Sequence, residues 1–237
     1  MSMQVDRSSY DLCRESSERL RASLVKFVSE LGIRASSYLD LGCGNCDLTI
    51  RIAKTVKAKR VVGIDIYIPE KATMEMEYVD IIQQDLNKPG IALRDSSFDL
   101  ITAVEVIEHL IYPDTVLKEV YRLLKPGGYF VLTTPNLASA VNRVLIALGY
   151  MPYFSEPSLE FAAGVLTKEK KVLKPAGHIR LYTLKAIKEL LQYYGFEIVK
   201  VRGTPIGFKH CLLRLAENVF SRTPSLATIL IVAARKP

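Results

Sequence analysis

Two groups of residues in this chain have types and spacings suited to chemistry. The first is a series of glycines and acids, each closing a short apolar run. Tyr38-Leu39-Asp40-Leu41 runs into Gly42-Cys43-Gly44, and a helical pattern follows from Asp47. Gly42 and Gly44 let the backbone turn sharply and approach a ligand closely, because no Cβ intervenes. A helix behind such a turn points its free N–H groups into it. Asp40 puts a carboxylate at the turn, which disfavours pyrophosphate and suits a cationic ligand. Asp65 closes the next apolar run about 20 residues further on, where a carboxylate can accept both hydroxyls of a ribose. Asp85, in Gln83-Gln84-Asp85-Leu86, closes the third and can accept a hydrogen bond from an exocyclic amine. A single acid at a strand end reads as a loop residue or a helix cap. Three at successive strand ends around one crevice read as a nucleoside site.

The second group is Glu105-Val106-Ile107-Glu108-His109 together with His178. If the first segment turns helically, Glu105, Glu108 and His109 share one face. The chain has three histidines, and His109 and His178 fall in loops that follow strands and border one cleft. Glu108, His109 and His178 are the catalytic candidates, acting as a base if an acceptor must lose a proton. Cys43 and Cys46 form a C-x-x-C, but Cys13 and Cys211 stand apart from it. Without a second close pair or a thioredoxin-like context, the pair reads as part of the turn.

The elements that must position these residues alternate along the chain. Leu20, Leu24, Phe27, Val28 and Leu31 repeat at helical spacing, which predicts an N-terminal helix over 10–32. Strands are predicted at Tyr38–Leu41, Val61–Ile66, Tyr78–Gln83, Phe98–Val104 and Tyr129–Thr134, with helices at Asp47–Val56, near Glu70–Met76 and at Thr115–Leu124. Lys125-Pro126-Gly127-Gly128 stops the last of these. Strand–helix alternation means βαβ units and a mostly parallel, doubly wound α/β sheet covered on both faces. Asn136–Gly149 reads as a helix, and Tyr150–Ala176 has no clean period. Together 137–177 form a lid-like insertion, carrying Arg143, Tyr150, Tyr153, Phe154 and Phe161. A helix at Leu184–Tyr194, a strand at Glu197–Val201, a helix near Leu212–Phe220 and a strand at Ala227–Ala233 complete the chain.

With 237 residues, 49% of them hydrophobic and 24% charged, the chain suits one α/β domain over 1–237. No apolar stretch is long enough to span a bilayer, and the first residues lack the apolar core of a signal peptide. Four scattered cysteines give no disulfide framework, so a cytoplasmic protein with reduced thiols is expected. The net charge of +7 permits RNA or other anionic partners without requiring them, since Lys168–Lys171 and other lysines suit solvated surfaces.

The segments DLGCGNC, VVGIDI, QQDL, FDLITAVEVIEHL and LLKPGGYFVLTTPN resemble the successive motifs of class I S-adenosylmethionine-dependent methyltransferases. The likeness extends to the type 11 and ubiquinone-pathway O-methyltransferases. It is strong over residues 36–136 and looser over GHIRLYTLKAIKELLQYYGFEIV. It implies a Rossmann-like, seven-stranded sheet whose last strand is antiparallel. It also implies S-adenosylmethionine as cofactor, with Gly42 and Gly44 around its methionine and ribose parts. Asp40 and the Ala103–Glu105 region would lie near the amino acid moiety. Asp65 would hold the ribose with Ile66 against the adenine, and Asp85 with Leu86 would hold the adenine edge. Cys46 stands where the family often has a third glycine.

E-x-x-E-H followed by a later histidine is similar to two groups of methyltransferases. In the small-RNA 3′-end 2′-O-methyltransferases, two Glu and two His bind a divalent metal. The ubiquinone-pathway O-methyltransferases have a similar E-V-x-E-H. By that resemblance Glu105, Glu108, His109 and His178 are metal-ligand candidates, and mixed carboxylate–imidazole ligation suits Mg²⁺, Mn²⁺, Zn²⁺ or Fe²⁺. A structural reading stands beside it, because acids near a helix start are favoured by its dipole. The expected acceptor is a small molecule, lipid or glycan precursor methylated on oxygen or nitrogen. RNA 2′-O-methylation with a divalent metal and a non-catalytic cofactor-binding protein are the alternatives. A nicotinamide dehydrogenase is disfavoured, because the turn lacks G-x-G-x-x-G.

Overall fold

The computed structural model describes residues 7–67, 78–166, 176–207 and 211–237. In chain order the elements are α1 (Arg7–Glu30), β1 (Ser37–Leu41), α2 (Asp47–Val56), β2 (Arg60–Asp65), β3 (Asp80–Gln83), β4 (Phe98–Val104), α3 (Pro113–Leu123), β5 (Leu124–Pro135), α4 (Ala140–Ala147), α5 (Leu184–Tyr193), β6 (Glu197–Thr204), α6 (Cys211–Phe220) and β7 (Ile229–Arg235). Short 3-10 turns occupy Ile107–His109 and Pro224–Leu226. The strands form one seven-stranded sheet in the order β3-β2-β1-β4-β5-β7-β6. β7 runs antiparallel to β5 and β6, and the remaining pairs are parallel.

Strand side chains alternate between two cores, as their period of two requires. Leu39, Leu41, Val62, Ile64, Ile101, Ala103, Phe130 and Leu132 face the layer of α3 and α5, where Leu117, Val120, Leu123, Ile187 and Leu191 are buried. Tyr38, Val61, Leu100, Val131, Ile231 and Ala233 face α1 and α2, against Leu24, Phe27, Val28, Ile52 and Val56. Phe98 breaks the alternation of β4 because the register with β5 shifts between Phe98 and Leu100. Central strands buried on both faces explain the near-continuous apolar runs in the sequence.

The chain winds outward from β1 to β3, then returns to place β4 on the other side of β1. The loops leaving β1 and β4 therefore diverge and open a crevice at the carboxyl ends of the strands, where α/β sheets bind ligands. The Asp40–Gly44 turn leaves β1 and Glu105 leaves β4, so both groups of sequence-predicted residues border that crevice.

Most predicted elements are met within a few residues. β5 is the largest difference, beginning at Leu124 rather than Tyr129, because Leu124 pairs with Phe98 before the shift. The helix expected over Asn136–Gly149 is confined to Ala140–Ala147, with Ser139 capping it through a hydrogen bond from Asn142 N–H. Residues 149–166 carry no helix or named strand, as the irregular insertion predicted. The helix expected near Glu70–Met76 and the lysines at 168–171 lie outside the described residues. No described helix is long and apolar enough to cross a membrane.

Candidate active site

The glycine turn is forced by close approach. β1 delivers Gly42 with φ 74°, and its N–H donates to the Ile64 carbonyl at 2.7 Å. A Cβ on Gly42 would sit 2.5 Å from Val106 Cγ2 in the loop after β4, so a side chain there displaces that loop. Gly44, at φ 52°, has open space where its Cβ would be. Its N–H donates to Asp65 Oδ2 at 2.8 Å, which ties the turn to the end of β2. Asp65 Oδ1 accepts from Tyr67 N–H at 3.0 Å. A carboxylate offers about four acceptor positions, so Asp65 retains capacity for ligand hydroxyls. Beside it, Ile66 and Tyr67 are exposed apolar surface. Asp85 lies two residues past β3 in a turn closed by Asn87 N–H on its Oδ1, and Leu86 packs on the core behind it.

Asp40 is placed differently from the other two acids. It is buried beneath the turn, and its oxygens accept from the hydroxyls of Thr49 and Thr102, each at 2.5 Å. Tyr38 shares the Thr102 hydroxyl at 2.7 Å. Burial pushes the Asp40 carboxyl up to about 6, with the two threonine hydrogen bonds opposing it. It is therefore charged at neutral pH, and reaches the crevice through its field rather than by contact. Cys46, buried at φ 63°, precedes α2, and the Cys43 and Cys46 thiols hydrogen-bond each other across the turn. That places the C-x-x-C within the turn. The described group able to hold a metal lies elsewhere.

Glu105 does not share a helical face with Glu108 and His109, contrary to expectation. It leaves β4 in a left-handed conformation, φ 53°, and the 3-10 turn starts only at Ile107. Its backbone N–H and its carboxylate both meet Thr133, whose hydroxyl donates to Oε1 at 2.7 Å. A non-glycine residue held at positive φ is strained by about 1–3 kcal/mol and marks a site whose surroundings fix it. Glu108 is fully buried. Its Oε2 accepts from Thr134 at 3.1 Å, whereas Oε1 has no partner. Burial raises the carboxyl of Glu108, and the charge of Glu105 raises it further. Glu105 is raised by burial against the opposing Thr133 bond.

His109 and His178 meet with ring centroids 4.8 Å apart. His109 Nδ1 lies 3.0 Å from the Gly177 carbonyl and His178 Nδ1 lies 3.1 Å from the Phe154 carbonyl. A carbonyl can only accept, so each ring carries its proton on Nδ1 and, when neutral, a lone pair on Nε2. Burial lowers the pKa of His178, which favours that neutral form. One ligand atom from each of Glu108, His109 and His178 lies within 4.8 Å of the others.

A methyltransferase-domain family model matches residues 13–201. The chain is 31% identical over 195 residues to the demethylmenaquinone methyltransferase of Lactobacillus johnsonii, covering 77% of each chain. The chain belongs to the methyltransferase-domain family. It is also 28% identical over 118 residues to a ubiquinone biosynthesis O-methyltransferase of Pseudomonas entomophila, spanning 47% of this chain and 50% of that one. The fold matches an N-methyltransferase of Bradyrhizobium japonicum WM9, solved with S-adenosyl-L-homocysteine, at TM-score 0.55 and 17% identity over 98% and 100% of the two chains.

This methyltransferase is an S-adenosylmethionine-dependent enzyme, and the non-catalytic alternative falls away. Its crevice suits that cofactor. The buried charge of Asp40 favours a sulfonium, Gly44 leaves open space, and Asp65 keeps acceptor capacity beside the exposed Ile66. The second group offers donors for a divalent cation: one ligand atom from each of Glu108, His109 and His178 lies within 4.8 Å of the others, slightly wider than the roughly 4.4 Å that donors at about 2.2 Å from one ion can span, so the side chains would close in around it. Glu108 Oε1 has no hydrogen-bond partner. Glu105 lies outside this trio, because Thr133 holds it. Sequence reasoning missed Thr49, Thr102, Thr133 and Thr134, whose hydroxyls hold the acids Asp40, Glu105 and Glu108. The pair in LTTPN at the end of β5 was a readable signal for two of them.

Proposed function

We propose that this methyltransferase transfers a methyl group to a hydroxyl of a small, quinol- or catechol-type acceptor. The observation that carries the reading is the convergence of Glu108, His109 and His178 beside the cofactor crevice, with both Nδ1 atoms on carbonyls. The names of its relatives agree with that acceptor class.

The bound cofactor supplies an electrophilic methyl carbon on a positively charged sulfur. The chain's task is to hold the acceptor oxygen in line with that carbon and to remove its proton. The Nε2 lone pair of His109 or His178 takes the proton, and the freed oxygen electron pair forms the new C–O bond as the C–S bond breaks. In place of that base chemistry, Glu108 and the same two Nε2 lone pairs would hold a divalent cation, which would then lower the pKa of the acceptor hydroxyl by Lewis acidity while the imidazoles serve as ligands. The cofactor residues of this reading are Asp40, Gly42, Gly44, Asp65, Ile66, Asp85, Leu86 and Glu105.

The test is transfer of tritiated methyl from S-adenosylmethionine to 3,4-dihydroxybenzoate, to a demethylated quinol and to an RNA pool, with and without EDTA. Methylation of either small acceptor, lost in His109→Asn/His178→Asn, is expected. Transfer to RNA alone, or turnover indifferent to that double substitution, would overturn the proposal.

A further inference from the structure

Glu156 sits in the irregular insertion, yet both histidines are organised around it. Its carboxylate accepts three successive backbone N–H groups. Oε1 takes Ala176, and Oε2 takes Gly177 at 2.8 Å and His178 at 3.0 Å. One carboxylate on three consecutive amides pins a segment that has no regular secondary structure to hold it.

That segment carries the groups that set both rings. The Gly177 carbonyl meets His109 Nδ1, and His178 follows directly in the chain. On the other side, two residues before Glu156, the Phe154 carbonyl meets His178 Nδ1. Phe154 reaches that position at φ 70°, a conformation that a non-glycine residue adopts only when its surroundings enforce it. The contacts form a closed loop: Glu156 to the 176–178 amides, Gly177 to His109, His178 back to Phe154. Ile179 and Arg180 N–H also donate to the Glu108 carbonyl, at 2.9 and 3.0 Å, so the chain after His178 stays tied when the Glu156 link breaks, and what that link alone holds is the 176–178 backbone that carries the Gly177 carbonyl.

We infer that Glu156 is a positioning residue, fixing the ring orientation and the Nδ1–H tautomer of His109 and His178 from the insertion. The inference rests on the proposed role of those histidines in proton removal. Groups that orient an imidazole through its second nitrogen set the basicity and direction of the first. Free histidine in water prefers the opposite tautomer, so the arrangement has a spectroscopic signature independent of turnover.

The experiment is long-range ¹H–¹⁵N NMR of the imidazoles in the full-length protein, assigned with His109→Asn and His178→Asn. It is paired with turnover of 3,4-dihydroxybenzoate. Wild type should show the Nδ1–H pattern at both rings, with protected Gly177 and His178 amides. Glu156→Ala should move both rings toward the Nε2–H form and cut kcat by about 10–100-fold, with the KM for S-adenosylmethionine unchanged. Glu156→Gln keeps one acceptor oxygen for Gly177 and His178, and should restore the tautomers and most of kcat. Unchanged tautomers in Glu156→Ala, or unprotected amides in wild type, would overturn the inference. So would Glu156→Gln as damaging as Glu156→Ala, which would assign the effect to charge. If Glu156→Ala fails to fold, the wild-type amides and Glu156→Gln decide. A tautomer change on Glu156→Ala, with turnover indifferent to the histidines, defeats the proposed function and leaves the positioning role standing.

Discussion

Asp40 shows how one buried carboxylate can couple cofactor binding to pH. Its carboxyl stands at about 6 because burial disfavours the charge more than Thr49 and Thr102 support it. In the unfolded chain it titrates near 3.8, so between about pH 4 and 6 the folded state binds the extra proton. Stability without cofactor therefore falls as pH rises through that window, by about 3 kcal/mol from this group. Asp40→Asn should remove the fall, measured by denaturant unfolding at pH 4 and 7. Binding has the opposite slope, since the charged carboxylate attracts a sulfonium. Calorimetry should find S-adenosylmethionine affinity weakening as pH drops below about 6, more steeply than that of S-adenosylhomocysteine, which lacks the sulfonium charge. Equal slopes for the two ligands would show that the Asp40 field does not reach the sulfur. Glu108 is the contrasting residue, since its buried Oε1 accepts no hydrogen bond. Glu108→Gln should leave cofactor affinity intact and, by removing the one anionic donor of the cation set, lower metal-dependent turnover. A matching loss of S-adenosylmethionine affinity would move Glu108 into the cofactor site.

Among the elements, the turn after β1 and the loop after β4 act as one packed unit. Gly42→Ala puts a methyl 2.5 Å from Val106 Cγ2 and at a φ of 74° that alanine resists. Overpacking costs about 1–3 kcal/mol and the left-handed backbone about 1–2 more. The melting temperature should fall and the cofactor Kd should rise at least about tenfold. Adding Val106→Ala should return the packing part and leave the backbone part. No gain in the double variant would show that the clash is not what Gly42 avoids. These strand ends were legible in the sequence, because buried parallel strands leave apolar runs and a turn after each must carry its own glycine or acid. Asp40, Gly42, Gly44, Asp65 and Asp85 were placed at those strand ends on that ground. Glu105 was also found, but its left-handed kink was not, since E-x-x-E-H fits a helix as well as a kink followed by a 3-10 turn. Glu156 gave no signal at all. Its partners are backbone amides about twenty residues away in a segment without a period, and hydrogen bonds to backbone impose no residue type on the other side.

Across the whole molecule, the parallel strands separate chemistry from a purely stabilising network at the opposite edge. Asp99 enters β4 at its amino end, six residues before Glu105, about 20 Å along an extended strand. There it accepts from Ser37 N–H and Ser37 Oγ, both at 2.8 Å, and from Lys125 Nζ at 2.7 Å, joining the starts of β1, β4 and β5. Burial raises its carboxyl, but the bonds from Lys125 and Ser37 outweigh that and hold it below the ordinary carboxylate value. A depressed carboxyl contributes stability above the unfolded pKa and loses it as pH falls through the folded one. Asp99→Asn should therefore cost about 1–2 kcal/mol at pH 7 and lower the melting temperature by a few degrees. The deficit should shrink as pH falls below the ordinary carboxylate value and vanish once wild-type Asp99 is itself protonated. Asp40 and Asp99 thus carry opposite pH slopes from opposite edges of one sheet. Because nothing in the Asp99 network reaches the crevice, kcat and cofactor Kd of Asp99→Asn should match wild type at temperatures where both are folded. A change in either constant would mean that strand β4 transmits displacement from one edge to the other, and that its carboxyl end is not held by Thr133 and Thr134 alone.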